Sequence, residues 1–250
     1  MMTDDELLRY SRQILLPELD VAGQEKLRAA TALIVGAGGL GSPVILYLAA
    51  AGIGRLILVD HDVVDLSNLQ RQIAHRTDTI GQAKVASAAT MARQLNPHCE
   101  VIAVAEQLDA SNVEQWVPQA DVIVDCSDNF AVRFLLNRAS VQHRIPLVSG
   151  AAIRMDGQLS VYDPRQPDSP CYRCLYDETG NEDLRCVSNG VLAPIVGIVG
   201  SIQATETIKV LTVMGTPLVG RLLLLDGLRM QFREIRLNKN KSCPVCSVVA

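Results

Sequence analysis

No excess of positive charge marks this sequence: 23 basic and 27 acidic residues are mixed along 250 positions, for a formal net charge of −4. That balance argues against nonspecific nucleic-acid binding and against a polybasic membrane surface. An apolar leader is also missing. The opening "MMTDDELLRYSRQ" carries acids early and has no hydrophobic stretch of the kind a secretory signal needs. Low-complexity segments and internal repeats are absent, which excludes tails, linkers and solenoids. One uncharged run, Cys186 to Thr205, approaches the length of a membrane span. It is broken by Ser188, Asn189, Pro194, Ser201 and Gln203 and followed at once by Glu206 and Lys209, so a buried core or subunit-interface helix is expected instead. The seven cysteines, with no secretory signal, fit a reducing, cytoplasmic setting. There, spaced cysteines serve metal binding or catalysis more often than disulfides.

What is present is an alternation of short apolar runs with helical stretches. Helices are expected over Thr3 to Leu16, stopping at Pro17, and over Ala22 to Ala29. Strands are expected at Thr31–Val35, Arg55–Asp60, Val101–Val104 and Pro146–Ser149, with another in "ADVIVDCSDN" (Ala120 to Asn129). Helices Leu40–Ala51, Ala83–Leu95 and Ala131–Gln142 fall between them. This is the pattern of a Rossmann-like, doubly wound α/β sheet. After Gly150 the texture changes, and "GQLSVYDP", "RLLLLDG" and "MQFREIRL" alternate as antiparallel strands do. A single domain over 1–250 is expected, with N-terminal helices (1–30), a parallel nucleotide-binding half (31–150) and an antiparallel extension (151–250).

Four motifs sit on that frame. "ALIVGAGGLGSP" (Ala32 to Pro43) sets Gly36, Gly38, Gly39 and Gly41 between a strand and a helix, and Asp60 ends the next strand. Glycines there permit a tight turn, close approach of backbone to phosphate, and close helix–strand packing, while the acid is placed for a ribose hydroxyl. The motif alone does not choose between NAD and ATP. "DLSNLQRQ" (Asp65 to Gln72) then offers Ser67, Asn68, Leu69, Gln70, Arg71 and Gln72, and Lys84 opens the next helix. Singly these are what a solvated loop carries, but two cations near the crevice suit a polyphosphate. In "DCSDNFAVR", Asp128 falls just past a strand end, where a carboxylate can hold Mg²⁺ between phosphates; it or Ser127 can also cap the following helix. Finally, Cys171 and Cys174 pair with Cys243 and Cys246 as two C-x-x-C knuckles, the pattern of a closed, structural Cys₄ Zn²⁺ site. Cys186 stands outside these pairs beside Arg185, a basic neighbour of the sort that favours a nucleophilic thiolate. Packing explains Cys99 and Cys126.

Together, "GAGGLGS", "DLSNLQRQ", Lys84, "DCSDN", both C-x-x-C pairs and Cys186 make the chain resemble the MoeB/ThiF group, prokaryotic relatives of ubiquitin-activating enzymes, over essentially its whole length. The resemblance implies that the nucleotide is ATP. It implies that Gly39 and Asp60 contact it, that Ser67 to Arg71 and Lys84 line its site, and that Asp128, through Mg²⁺, and Asn129 complete it. Arg12 would reach the ATP site of a second subunit, making a homodimer. The substrate would be a small β-grasp sulfur-carrier protein ending in Gly-Gly, adenylated at its terminal carboxylate ahead of thiocarboxylate formation. "SGAAIRMDGQLSVY" (Ser149 to Tyr162) resembles the MoeB branch, which implies the molybdopterin-synthase carrier and molybdenum cofactor biosynthesis over the thiamine carrier. With the sequence ending at Ala250, a separate sulfur donor, a cysteine desulfurase or a rhodanese, is expected. Cys186 matches a loop cysteine to which the group gives a covalent or persulfide role in some members. Two other classes compete: an NAD-dependent oxidoreductase, which leaves Arg71, Lys84 and Asp128 idle, and a zinc-stapled scaffold without catalysis, which gives no reason to keep all three.

Overall fold

Short, unbroken runs of branched residues form strands that need cover on both faces, and the chain supplies it with helices on either side of one sheet. The computed structural model describes residues 2–178 and 190–247. Its parallel half holds β1 (Thr31–Val35), β2 (Arg55–Val59), β3 (Glu100–Val104), β4 (Val122–Asp125) and β5 (Leu147–Ile153). Strand order is β3-β2-β1-β4-β5, continued antiparallel by β6 (Asp156–Tyr162), β7 (Arg221–Asp226) and β8 (Gln231–Arg236). The Rossmann-like parallel core and its antiparallel extension are therefore as expected, joined in one eight-stranded sheet.

The pleat divides the core. Ala32 and Ile34 of β1 face one side, with residues of α3 (Gly41–Ala51), α4 (Lys84–Leu95) and a long helix, α8 (Ala193–Thr212). Leu33 and Val35 face the other, against α5 (Val113–Trp116) and α6 (Phe130–His143). Two N-terminal helices, α1 (Asp4–Ile14) and α2 (Asp20–Ala29), precede the sheet. Thr3 caps α1 in a reciprocal box: its hydroxyl accepts the Glu6 N–H while the Glu6 carboxylate accepts the Thr3 N–H. A four-residue helix, α7 (Tyr172–Leu175), carries Cys174 of the first cysteine knuckle, with Cys171 at its N-cap.

The apolar run after Val191 forms α8. By length and hydropathy it is the one helix among the described residues able to cross a membrane, yet 56% of its apolar window is buried in the protein. Its polar groups explain why it lies under the sheet. Fully buried Gln203 donates to the Asp125 carbonyl at the end of β4 (2.8 Å), and buried Glu206 accepts the Leu218 N–H (2.7 Å). Such groups have partners only inside this fold.

Because β1 and β4 are adjacent while the chain departs from them in opposite directions, a crevice opens at their carboxyl ends. Gly36, with φ of +97°, turns the chain out of β1 in a conformation that side chains disfavour. Gly41 lets α3 start directly beneath that turn, since a Cβ there would lie 1.9 Å from the Gly36 carbonyl oxygen. Gly41→Ala should consequently destabilise the protein by at least about 1–3 kcal/mol, the usual scale of overpacking. Urea unfolding of the purified variant measures this; an unchanged midpoint would mean that the loop has a second conformation.

Candidate active site and metal centre

The crevice is a cavity of about 1170 Å³ that runs from the glycine loop to the antiparallel strands. Gly36, Gly38, Gly39, Asp60, Arg71, Lys84, Asp128 and Asn129 all line it. Segments distant in sequence thus meet in one place: the loop after β1, the end of β2, the start of α4 and the turn after β4.

Asp60 is more than a ribose ligand in waiting. One carboxylate oxygen accepts the Ala37 N–H (2.7 Å) and the other accepts the Asp62 N–H (2.8 Å), so it holds the glycine loop to the segment that follows β2. Lys84 opens α4, where a cation opposes the helix dipole. Its side chain is only 7% exposed, and its ammonium is held at 2.7 Å by Asp62. That hydrogen bond, more than any other influence, lowers the Asp62 pKa. Asp62 carries no signal of its own in the sequence, because its pairing with Lys84 spans 22 residues of irregular chain.

The segment before α4 is ordered by its own side chains. Asp65 caps a single turn at Leu66–Asn68 by accepting the Ser67 N–H. The Asn68 side-chain oxygen, Oδ1, accepts from the side chains of both Arg71 (3.2 Å) and Gln72 (3.0 Å), and those two line the cavity. Ser67, Asn68, Leu69 and Gln70 do not line the cavity themselves, and neither does Gly41, which serves packing. Arg12 sits in the last turn of α1, exposed and away from the cavity of its own chain.

On the far wall, the turn after β4 is built on a fully buried carboxylate. Asp125 accepts the N–H and hydroxyl of Ser127 (3.0 and 2.6 Å) and the Ser149 hydroxyl (2.7 Å), with Arg133 Nε 3.8 Å away. Arg133 in turn donates to the Ser127 carbonyl (2.7 Å). This network leaves Asp128 exposed at the cavity. The cap of α6 is Asn129, which accepts the Val132 N–H (3.0 Å), and not Asp128 or Ser127: Ser127 is spent on Asp125. Cys99 and Cys126 are buried, as packing cysteines should be, and burial pushes the Cys99 thiol up to about 12. Cys186 lies outside the described residues.

A family model described as the ThiF family matches residues 10–245. The chain belongs to the ThiF family. It is 46% identical over 245 residues to the molybdopterin-synthase adenylyltransferase of Escherichia coli (strain K12), covering 98% of each chain. It is also 46% identical over 249 residues to the adenylyltransferase and sulfurtransferase MOCS3 of Drosophila yakuba, covering 98% of this chain and 54% of that one. Among solved structures, E. coli MccB with ATP superposes with a TM-score of 0.85 at 25% identity, over 95% of this chain and 73% of that one. As a ThiF family member this chain is an adenylyltransferase.

The two cysteine knuckles meet as expected. Sγ separations are 3.9 Å for Cys171–Cys174, 3.6 Å for Cys171–Cys243 and 3.5 Å for Cys174–Cys246, and all four sulfurs lie within 4.8 Å of one another. Tetrahedral Zn²⁺ with bonds of about 2.3 Å needs sulfurs about 3.8 Å apart, so the donor set fits that ion. Backbone N–H of Asn240 donates to Cys174 (3.4 Å), and the Asn137 amide donates to Cys171 (3.7 Å), the support that thiolate ligands receive in such centres. Asn137 also accepts the Tyr172 N–H (2.8 Å), and no periodicity in α6 announced that role. Without a cation only part of the cluster ionises. The hydrogen bond shared with Cys171 draws the Cys174 thiol down to about 4, while burial leads the causes that push Cys246 up to about 12.

Cys243→Ala should abolish stoichiometric zinc, read by elemental analysis, and lower the melting temperature; retention of one zinc per chain would reject the Cys₄ assignment. A second expectation concerns pH. Buried His75 has its pKa lowered from 6.5, chiefly by desolvation. The unfolded chain therefore takes up a proton that the folded chain resists. Stability is full above about pH 6.5 and falls as pH drops below it. Equilibrium unfolding between pH 7 and 5 should slope less in His75→Gln than in the parent; equal slopes would contradict the lowered pKa.

Proposed function

We propose that the enzyme transfers AMP from ATP to the C-terminal carboxylate of a small β-grasp sulfur carrier ending in Gly-Gly, the molybdopterin-synthase carrier in particular. The observation that carries this reading is the convergence of Arg71, Lys84 and Asp128 with the glycine loop on one cavity. A carboxylate oxygen attacks the α-phosphorus, the bond from that phosphorus to the oxygen bridging toward the β-phosphate breaks, and pyrophosphate leaves with its electrons. The attacking carboxylate is ionised at neutral pH, so no strong base is called for. What the reaction needs is neutralisation of a growing phosphate charge and in-line alignment, which fixed cations and backbone N–H groups supply.

Within this reading Gly38 and Gly39 bring backbone to the phosphates, Asp60 keeps free lone pairs for a ribose hydroxyl, and Asn129 completes the wall. Asp128 would hold Mg²⁺, which would supply neutralisation of the phosphate charge. Zn²⁺ in the Cys₄ centre would be structural, since four thiolates leave no position for water. Arg12 supports a homodimer. It lies on α1 among Leu8, Leu15 and Leu16, which are 76%, 70% and 50% exposed. A cation ringed by exposed leucines suits a helix face that another subunit covers. Sulfur would then arrive from a separate cysteine desulfurase or rhodanese, in the cytoplasm, and Cys186 is the candidate for a covalent link during that step. Cys186→Ala with undiminished thiocarboxylate formation would remove it from the scheme.

Pyrophosphate release from Mg·ATP should appear with a molybdopterin-synthase-type carrier and not with a thiamine-type carrier. Release with only the second would move the enzyme to thiamine synthesis, and silence with both would reject carrier adenylation. Lys84→Ala and Arg12→Ala should each lose about 10²–10³ in rate. Mixing these two inactive variants should regenerate roughly a quarter of the active sites, because half of randomly paired dimers place one intact Arg12 opposite one intact Lys84. No recovery after subunit exchange would mean that Arg12 does not act across an interface.

A further inference from the structure

His75 is a buried titratable group in the nucleotide half whose burial has no place in the scheme above. Only 6% exposed, it lies between the Arg71 segment and α4 and does not line the cavity. Its Nε2 is 2.8 Å from the Ala37 carbonyl oxygen. A carbonyl only accepts, so Nε2 carries the proton. Nδ1 is then left to accept from the Ser87 hydroxyl at 3.0 Å, one turn beyond Lys84 on α4. A cation in this position is disfavoured chiefly by burial and further by Lys84, against a pull from the Ala37 carbonyl and a weaker one from Asp60; Lys84 and Asp60 are the charged groups that His75 meets. The neutral tautomer protonated on Nε2 satisfies both ring contacts, with the Ser87 hydroxyl turned to Nδ1 and away from the Thr79 hydroxyl 3.2 Å from it.

The bond to Ala37 completes a ring. Ala37 gives its N–H to Asp60, Asp60 receives the Asp62 N–H on its other oxygen, Asp62 holds the Lys84 ammonium, and α4 returns through Ser87 to His75. The two peptide groups that flank Ala37 are thus each gripped, the N–H of the first by Asp60 at the end of β2 and the carbonyl of the second by His75 from the segment that carries Arg71. Neither can turn without breaking its grip, and the ring couples the position of the loop to those of Lys84 and the Arg71 segment.

The geometry points to His75 as a positioning residue for adenylyl transfer: by clamping the Ala37 carbonyl and the Ser87 hydroxyl it fixes the glycine loop relative to Arg71 and Lys84. This rests on the adenylation reading for its kinetic consequence, but the clamp itself is a property of the free chain. Two measurements keep these apart. In hydrogen–deuterium exchange without ATP or carrier, amides of residues 36–41 should exchange about tenfold faster in His75→Ala than in the parent, with strands β1 and β4 unchanged. In pyrophosphate release, His75→Ala should raise KM for ATP about five- to tenfold, the scale of one lost hydrogen bond, with KM for the carrier unaltered. His75→Gln keeps a donor for the Ala37 carbonyl and should restore most of both. A parent enzyme silent with every carrier would reject the adenylation reading and leave the exchange comparison to decide the clamp. Equal exchange in His75→Ala and parent, or a fall in Vmax alone with KM for ATP unchanged in both variants, would overturn the positioning role.

Discussion

The grip of Asp60 on the Ala37 amide is the contact around which the nucleotide half is assembled. A glycine-rich turn has little stiffness of its own, and each glycine widens the range of backbone angles open to it. A carboxylate at the end of the neighbouring strand removes much of that freedom with one hydrogen bond of 2.7 Å, and its second oxygen orders the chain that leads to Lys84. The sheet makes this economical. Strands β1 and β2 are in register from Thr31 with Arg55 to Val35 with Val59, so Asp60 arrives level with the loop without any further device.

The opposite wall uses the same logic at greater depth. Asp125 is inaccessible to solvent, and such a charge is tolerated only when its oxygens are occupied. Ser127, Ser149 and Arg133 occupy them, from the turn, from β5 and from α6 respectively. Since Gln203 of α8 also takes the Asp125 carbonyl, this one residue joins both faces of the sheet. Asp128 therefore projects from a rigid turn. Were Asp128 to hold a cation, as proposed above, less ordering would remain to be done on binding.

How far the sequence revealed this depends on the range over which each signal acts. β1 was legible to the residue, because a run of branched apolar residues ending in glycines has few alternatives. The glycine loop, Asp60, Arg71, Lys84 and Asp128 were legible as a set of residue types in order, and all five reach the cavity. The four zinc-type cysteines were legible because knuckle spacing is itself geometry. Asp62, His75, Asn137 and Arg133 were not foreseen. Each acts through partners that only the folded chain brings near, as when His75 meets Ala37 across 38 residues. The cap of α6 was misplaced for a related reason: Ser127, Asp128 and Asn129 are all good caps, and the choice was settled by Asp125 drawing Ser127 away.

The outer strand β8 closes the sheet with all six residues exposed. An open edge of this kind offers unpaired backbone to any extended chain that meets it. Here Arg233, Glu234 and Arg236 place three charges among six positions, and charge on an edge is a barrier to strand-by-strand recruitment. Two copies of the molecule are thereby discouraged from fusing their sheets into a longer one.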